Sequence, residues 1–300
     1  MSTDGRQRAA VPAATEGAVA AALEPLTRDP ARAAVFCDID GTLAPIVPRP
    51  DEARVPSGVS RLLGRLSRRY ACVACISGRP AEEARDLVGQ GSVIYVGLHG
   101  AEVLRPGESR ACLASAYRRW RGRVRRFGSS CDPDSLRRAG VRIEDKGPIL
   151  GFHWRGAADE GVALACLADV AERADAAGLA AHWGRKVLEV RPPVPIDKGI
   201  AVRELVTATH PAAALYGGDD TTDLDAFDAL AALASAGRLD ARVRVAVRSD
   251  EEPIDLVARA DLVVDGVPGF ARVLDRLLVG AGLSQGAPGP ALPPIHPPRT

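Results

Sequence analysis

Three hundred residues are enough for one large domain or two modest ones, and 46% hydrophobic with 26% charged residues is a globular balance rather than a disordered, collagen-like or membrane-embedded one. Thirty-nine basic against 38 acidic residues leave a net charge of +1, so no whole-protein field favours nucleic acid or anionic lipid. No stretch of about 18 consecutive apolar residues occurs, and Asp4 and Glu16 interrupt any secretory core, so a cytoplasmic protein without a transmembrane helix is expected.

Residues 1–30 are Ala-rich and weakly patterned and read as a flexible N-terminal segment. From there β-branched runs alternate with helical patterns: strand 33–37, helix 57–69, strand 72–76, helix 81–88 and strand 93–96. Cys72 and Cys75 form the one C-x-x-C, but they lie inside a strand, where positions three apart face opposite sides, so core packing is the reading for both. The six cysteines are too few for a disulfide scaffold.

The rhythm changes after about residue 107. A helix over 114–126, strands near 141–144, 149–153 and 186–190, and a helix over 160–177 read as an inserted unit spanning 108–190. All three tryptophans (Trp120, Trp154, Trp183) fall within it and are read mainly as its small core. Arginines interleave with Tyr117, Trp120 and Phe127; at helical spacing Trp120, Val124 and Phe127 share one face, so an amphipathic helix with a solvated Arg face is favoured over a nucleic-acid site. The alternation then resumes with helix 199–207, strand 213–216, helix 224–233, strands 243–247 and 262–264, and helix 270–278. Residues 283–300 are Pro- and Gly-rich and read as a disordered tail. The pattern predicts an α/β fold: a doubly wound, mostly parallel sheet built from 31–107 and 191–282, with the insertion as a smaller α/β unit. Its ligand site should lie beyond the carboxyl ends of the strands.

Chemistry-bearing residues gather at those ends. The first strand runs into Asp38-Ile39-Asp40-Gly41-Thr42, two carboxylates that repel one another unless a cation such as Mg²⁺ neutralises them. The second ends in Ser77-Gly78-Arg79-Pro80, where a hydroxyl and exposed N–H groups can hold a phosphoryl oxygen or form an ordinary helix cap. Only three of the 39 basic residues are lysines, so Lys146, Lys186 and Lys198 each invite a specific reason; Lys198 opens a helix, where a compact point charge suits a phosphoryl group or an aspartate. After strand 213–216 come Gly217-Gly218-Asp219-Asp220-Thr221-Thr222-Asp223, an acidic density suited to Mg²⁺ and unlike an EF-hand.

Asp38-x-Asp40-Gly41-Thr42, Ser77, Lys198 and Gly218-Asp219-Asp220-x-x-Asp223, in that order, resemble the motifs of the haloacid dehalogenase superfamily. The finer resemblance is to the trehalose-6-phosphate phosphatase family, carried by Gly97-Leu98-His99-Gly100-Ala101-Glu102, Glu144-Asp145-Lys146-Gly147, His153-Trp154-Arg155 and Lys186-Val187-Leu188-Glu189-Val190-Arg191-Pro192. The resemblance implies a Rossmann-type core with an α/β cap, and Mg²⁺-dependent hydrolysis of trehalose 6-phosphate. Asp38 would be the nucleophile and Asp40 the general acid and base, with Ser77 and Lys198 on the phosphoryl group. Mg²⁺ would be held by Asp38, the backbone carbonyl of Asp40 and Asp219, with Asp220 and Asp223 completing the site. Gly78, Arg79, His99, Gly100, Glu102, Arg155, Lys186 and Glu189 would meet the substrate. Leu224 stands where the family usually has Glu, and Trp154 where Tyr is common. A monomer acting on a small molecule is expected, with a trehalose-phosphate synthase as the partner the resemblance suggests, and neither nucleic acid nor membrane. The alternatives are a phosphatase for another sugar phosphate, of sucrose 6-phosphate or mannosylglycerate type, and a non-catalytic sugar-phosphate sensor.

Overall fold

The computed structural model describes residues 12–47, 49, 52–184, 186–248 and 254–283. The proline-rich tail after 283, and residues 1–11, lie outside the described residues. Residues 16–28 correct the expectation of a flexible N-terminus: they form helix α1 (Glu16–Arg28), capped by Thr15, whose side chain accepts the Ala18 N–H. Val19, Leu23 and Leu26 recur at helical spacing and are buried, so α1 carries a narrow apolar stripe that its alanine-rich sequence disguises. It docks on the last helix, and Glu16 pairs with Arg276 there.

The chain continues through β1 (Ala33–Cys37), α2 (Ser57–Leu66), β2 (Cys72–Ile76), α3 (Ala81–Val88), β3 (Ile94–Gly97), β4 (Glu102–Leu104) and β5 (Cys112–Leu113). After a four-stranded excursion it resumes with α8 (Lys198–Thr209), β10 (Ala213–Gly218), α9 (Asp223–Ser235), β11 (Ala241–Arg248), α10 (Ile254–Arg259), β12 (Leu262–Asp265) and α11 (Gly266–Leu283). These strands form one eight-stranded sheet in the order β12-β11-β10-β1-β2-β3-β4-β5. The pairings from β12 to β3 are parallel, and β4 and β5 add antiparallel at the edge. Every residue of β1, β2, β3 and β10 is buried, as a parallel sheet covered on both faces requires. Helices α1, α2, α3 and α11 cover one face, and α8, α9 and α10 the other. Cys75 belongs to the first of these cores and Cys72 to the second, so the C-x-x-C pair is split across the sheet.

The excursion comprises α4 (Ser115–Arg118), α5 (Arg121–Ser130), α6 (Pro133–Arg138), β6 (Arg142–Asp145), β7 (Leu150–His153), α7 (Glu160–Ala176), β8 (Ala180–Gly184) and β9 (Val187–Arg191). Its strands form an antiparallel sheet in the order β6-β7-β9-β8. Because β5 pairs with β4, the large sheet extends to residue 113, past the expected boundary at 107. The single helix expected over 114–126 is two, α4 and α5, separated by Arg119 and Trp120. The halves are tied to different bodies. Tyr117 of α4 sits in a small cluster with Leu98 and Ile196 and donates its hydroxyl to the Val194 carbonyl at 3.1 Å, whereas Val124 and Phe127 of α5 join the core beneath the four-stranded sheet. Arg121, Arg123, Arg125 and Arg126 are exposed on the outer side of α5.

Candidate active site

Four strand ends and helix starts of the large sheet converge on one point. Strand β1 delivers Asp38, whose N–H is held by the Gly217 carbonyl of β10 at 2.9 Å. The chain then folds into a tight turn in which Gly41 donates to the Ala44 carbonyl at 2.7 Å. Gly41 has φ of +84°, and a Cβ there would stand 2.0 Å from Asp219 Oδ2, so only glycine permits both the turn and the approach of Asp219. Strand β2 ends at Ser77, buried and anchored by its N–H to the Val96 carbonyl at 2.9 Å. Asp197 caps α8 by accepting the Ile200 N–H at 2.6 Å, and Lys198 follows as the first helical residue. Strand β10 ends in Gly218 and leads through Asp219 and Asp220 to Asp223, the first residue of α9; a Cβ on Gly218 would lie 2.2 Å from the Asp223 carboxyl carbon.

The charges are buried and interlocked. Lys198 Nζ lies 3.1 Å from Asp38 Oδ1 and 2.8 Å from Asp223 Oδ1. Asp223 Oδ1 also accepts the Tyr216 hydroxyl at 2.6 Å, while its Oδ2 accepts the backbone N–H groups of Asp219 and Asp220 at 2.9 and 3.0 Å. Burial pushes the Asp38 carboxyl well above the usual carboxylate range, Lys198 opposes that, and Asp223 and Asp219 add to it. Burial works against the Lys198 ammonium too, but Asp223 and Asp38 outweigh it and hold its pKa well above the ordinary value. Carboxylate oxygens of Asp38, Asp219 and Asp223 come within 4.8 Å of one another. Both Asp223 oxygens are taken up by their lysine, tyrosine and backbone donors, so the buried carboxylates of Asp38 and Asp219 are the oxygen donors left for a hard divalent cation, with the Asp223 charge behind them.

Asp40 faces the same cavity, and its carboxylate is gripped by Arg79: Nε and Nη2 each donate at 2.7 Å, and Nη1 reaches Glu83 at 2.6 Å. The Asp40 side chain is thus outside the carboxylate cluster, in which Asp38 and Asp219, two of the expected ligands, stand with Asp223; the ligand expected from Asp40 is its backbone carbonyl, not this side chain. Asp220 lines the cavity with its Oδ1 taken up by the N–H and hydroxyl of Thr222, at 2.8 and 2.6 Å.

Above these residues lies a cavity of about 810 Å³, walled on the far side by the four-stranded sheet. Gly78, Arg79, His99, Arg155, Lys186 and Glu189 line it as expected. Gly100 and Glu102 do not. Gly100, at φ +118°, packs against Ile196 and the Asp197 carbonyl, and Glu102 accepts the Ala81 N–H at 2.7 Å, capping the start of α3. Their sequence neighbourhood to His99 is misleading because the chain turns sharply at Leu98 and His99, both with positive φ, and only His99 is aimed at the cavity.

Several lining residues carry no assigned role in the sequence reading: Glu144, Lys146, His153, Ile46 and Arg49. Glu144 accepts from His153 Nε2 at 2.6 Å, and although burial raises its pKa, that hydrogen bond and Lys146 bring it down to about 2. Lys146 reaches across the cleft, donating to the Gly78 carbonyl at 3.2 Å and to Glu189 Oε1 at 3.3 Å. His99 stands 3.7 Å from Glu189, and burial lowers its pKa to about 4 despite that carboxylate. The lysine shortage was the signal that marked Lys146; nothing in the local sequence announced the Glu144–His153 pair, which forms only when β6 and β7 align. Tyr216 was also missed, as an apolar-looking member of a buried strand.

The model of the trehalose-phosphatase family matches residues 36–255. A trehalose-phosphate phosphatase of Mycobacterium marinum is 34% identical over 212 residues, which cover 66% of this chain and 52% of that protein. An uncharacterized glycosyl hydrolase of Mycobacterium tuberculosis is 37% identical over 207 residues, 66% of this chain and 15% of that much longer protein. The chain therefore spans about half the length of the phosphatase relatives it matches, and less of the hydrolase. Among solved structures, the C-terminal domain of Candida albicans trehalose-6-phosphate phosphatase aligns with a TM-score of 0.67 at 24% identity, covering 87% of this chain and 98% of that one. Aspergillus fumigatus trehalose-6-phosphate phosphatase aligns at 0.59 and 25% identity, covering 92% and 100%. Haloacid dehalogenase-like hydrolases share the fold.

Proposed function

The chain belongs to the trehalose-phosphatase family, and on that footing we propose that it hydrolyses trehalose 6-phosphate to trehalose and inorganic phosphate through a phosphoryl-aspartate at Asp38. The observation that carries this reading is the pairing of two chemistries in one cavity. Asp38 and Lys198 lie at its floor, and a wall of sugar-competent groups, Glu144, Lys146, His153 and Glu189, lies above them. In this reading the eight-stranded unit is the catalytic core and the four-stranded unit its cap.

Asp38 attacks phosphorus, forming an acyl phosphate as the bond to the sugar oxygen breaks, and Asp40 delivers a proton to that oxygen. Asp40 then takes a proton from the water that attacks the acyl phosphate, releasing phosphate and restoring Asp38. Arg79 orients Asp40 for both transfers. Lys198 and the Ser77 hydroxyl oppose the charge on the equatorial oxygens, and Lys146, spanning core and cap, keeps water out while the ester is in place. Mg²⁺ held by Asp38 and Asp219 would neutralise the repulsion between the incoming phosphate and the acidic cluster. A Cβ on Gly78 would stand 2.7 Å from His99 Nε2, so the glycine lets the imidazole come close beside the phosphoryl position. Arg155, Lys186 and Glu189 would meet the disaccharide, Glu189 by accepting from sugar hydroxyls. The chain would act as a cytoplasmic monomer, on an ester that a trehalose-phosphate synthase supplies.

Phosphate release from trehalose 6-phosphate, sucrose 6-phosphate, mannosyl phosphoglycerate and glucose 6-phosphate, each with Mg²⁺ and with EDTA, tests this. Release confined to the trehalose ester, dependent on Mg²⁺ and absent in Asp38→Asn, is expected. Release from a different ester would keep the chemistry and overturn the substrate; silence on all four with Mg²⁺ still bound would favour a sensor.

A further inference from the structure

The third carboxylate of the buried cluster is the one with no room for a ligand. Asp223 accepts four hydrogen bonds, from Lys198, Tyr216 and two backbone N–H groups, which occupy both of its oxygens. Three of these donors belong to the metal and phosphoryl machinery or its backbone; the fourth, the Tyr216 hydroxyl, is on a residue that does not line the cavity. Tyr216 is fully buried on β10, its ring set edge-on to Phe227 at 6.2 Å, and its hydroxyl shares Asp223 Oδ1 with the Lys198 ammonium. A tyrosine among the apolar residues of a buried strand needs a partner for its hydroxyl, and here that partner is the carboxylate that competes with Asp38 for Lys198.

We propose that Tyr216 is a positioning residue: by hydrogen-bonding Asp223 it tempers that carboxylate's hold on Lys198, so the ammonium stays divided between Asp223 and Asp38, and it keeps Asp223 turned away from the cation. Lys198 has two acceptors at 2.8 and 3.1 Å. Without the hydroxyl, Asp223 Oδ1 carries more uncompensated charge and draws the ammonium toward itself. Asp38 then loses part of its counter-charge. The consequence has two opposite signs: a cation meets a more negative Asp38 and binds more tightly, while the phosphoryl group loses the lysine that steadies it and turns over more slowly.

The proposal rests on the phosphatase reading only for its kinetic arm, so Tyr216→Phe is measured in two ways. Calorimetric titration of the full chain with Mg²⁺ alone should show affinity rising about threefold or more, with thermal midpoint within a few degrees of wild type. Turnover on the ester that wild type hydrolyses should fall about tenfold, with KM within about twofold. In an Asp223→Asn background the same Tyr216→Phe change should alter neither quantity further. Phe227→Leu, which loosens the ring and leaves the hydroxyl, separates a packing effect: it should lower the midpoint and leave Mg²⁺ affinity unchanged. Weaker Mg²⁺ binding in Tyr216→Phe, effects additive with Asp223→Asn, or a lowered midpoint with normal turnover and normal Mg²⁺ binding would each overturn the positioning role. An inactive wild type would sink the phosphatase reading and leave the titration to decide this one.

Discussion

Gly41 is the residue on which the two acidic loops depend. Its φ of +84° is open to glycine at little cost, and the Asp219 carboxylate fills the space a side chain would need. Gly41→Ala is therefore expected to leave the sheet intact but drive Asp219 off its position, with Mg²⁺ affinity falling at least about tenfold by calorimetry. Unchanged affinity would show that the turn can shift without moving Asp219. His99 gives a second prediction at this scale. Burial lowers its pKa to about 4, below the ordinary value near 6.5, so the folded state binds fewer protons than the unfolded one. Its contribution to stability is complete above about pH 6.5 and is lost as the pH falls toward 4. The thermal midpoint should drop over that window, and less steeply in His99→Gln; parallel curves would remove His99 from the account. The acids at strand ends were legible in the sequence because each lies beside its own strand. The partnerships Arg79–Asp40, Lys146–Gly78 and Tyr216–Asp223 were not, since each is made by loops or strands that the tertiary fold brings together.

Elements were legible in proportion to their apolar contrast. The central strands, buried on both faces, read as continuous hydrophobic runs, and their parallel order followed from the helices between them. Strands β4, β5 and β8 were missed: the first two are two or three residues long, and β8, Ala-Ala-His-Trp-Gly, is an edge strand with small residues and an exposed Trp183. Helix α1 was missed because alanine dilutes its stripe of Val19, Leu23 and Leu26. Its packing on α11 makes it an integral part of one core, so Leu23→Ala, at a site 1% exposed, should destabilise the chain by about 2–5 kcal/mol in urea unfolding. Turnover per folded molecule should be unchanged, because α1 supplies no residue to the cavity. A loss below about 0.5 kcal/mol would mean that α1 is not docked in solution.

At the scale of the molecule, three apolar cores are held together by little shared material. The core beneath the four-stranded sheet, built from residues such as Phe127, Phe152, Leu167 and Leu188, lies apart from the two cores flanking the large sheet. The junction is a small cluster around Leu98, Tyr117, Ile149 and Ile196, supplemented across the cleft by Lys146 on the Gly78 carbonyl and Glu189 beside His99. Cooperativity follows shared packing, so cap and core should open as separate units. Leu167 lies fully buried at the centre of α7, and Leu167→Ala should weaken the cap alone. Hydrogen exchange read by mass spectrometry should then speed up across 120–190 while amides of β1, β2 and β10 keep their protection. The functional signature should divide the same way. The acidic cluster and Lys198 belong entirely to the core, so Mg²⁺ affinity should hold, whereas kcat/KM for the sugar ester should fall as the wall bearing Glu144, Lys146 and Glu189 is populated less of the time. Faster exchange in the central strands, or Mg²⁺ binding lost together with kcat/KM, would instead make the chain one cooperative unit in which the cap holds the core's catalytic loops in place.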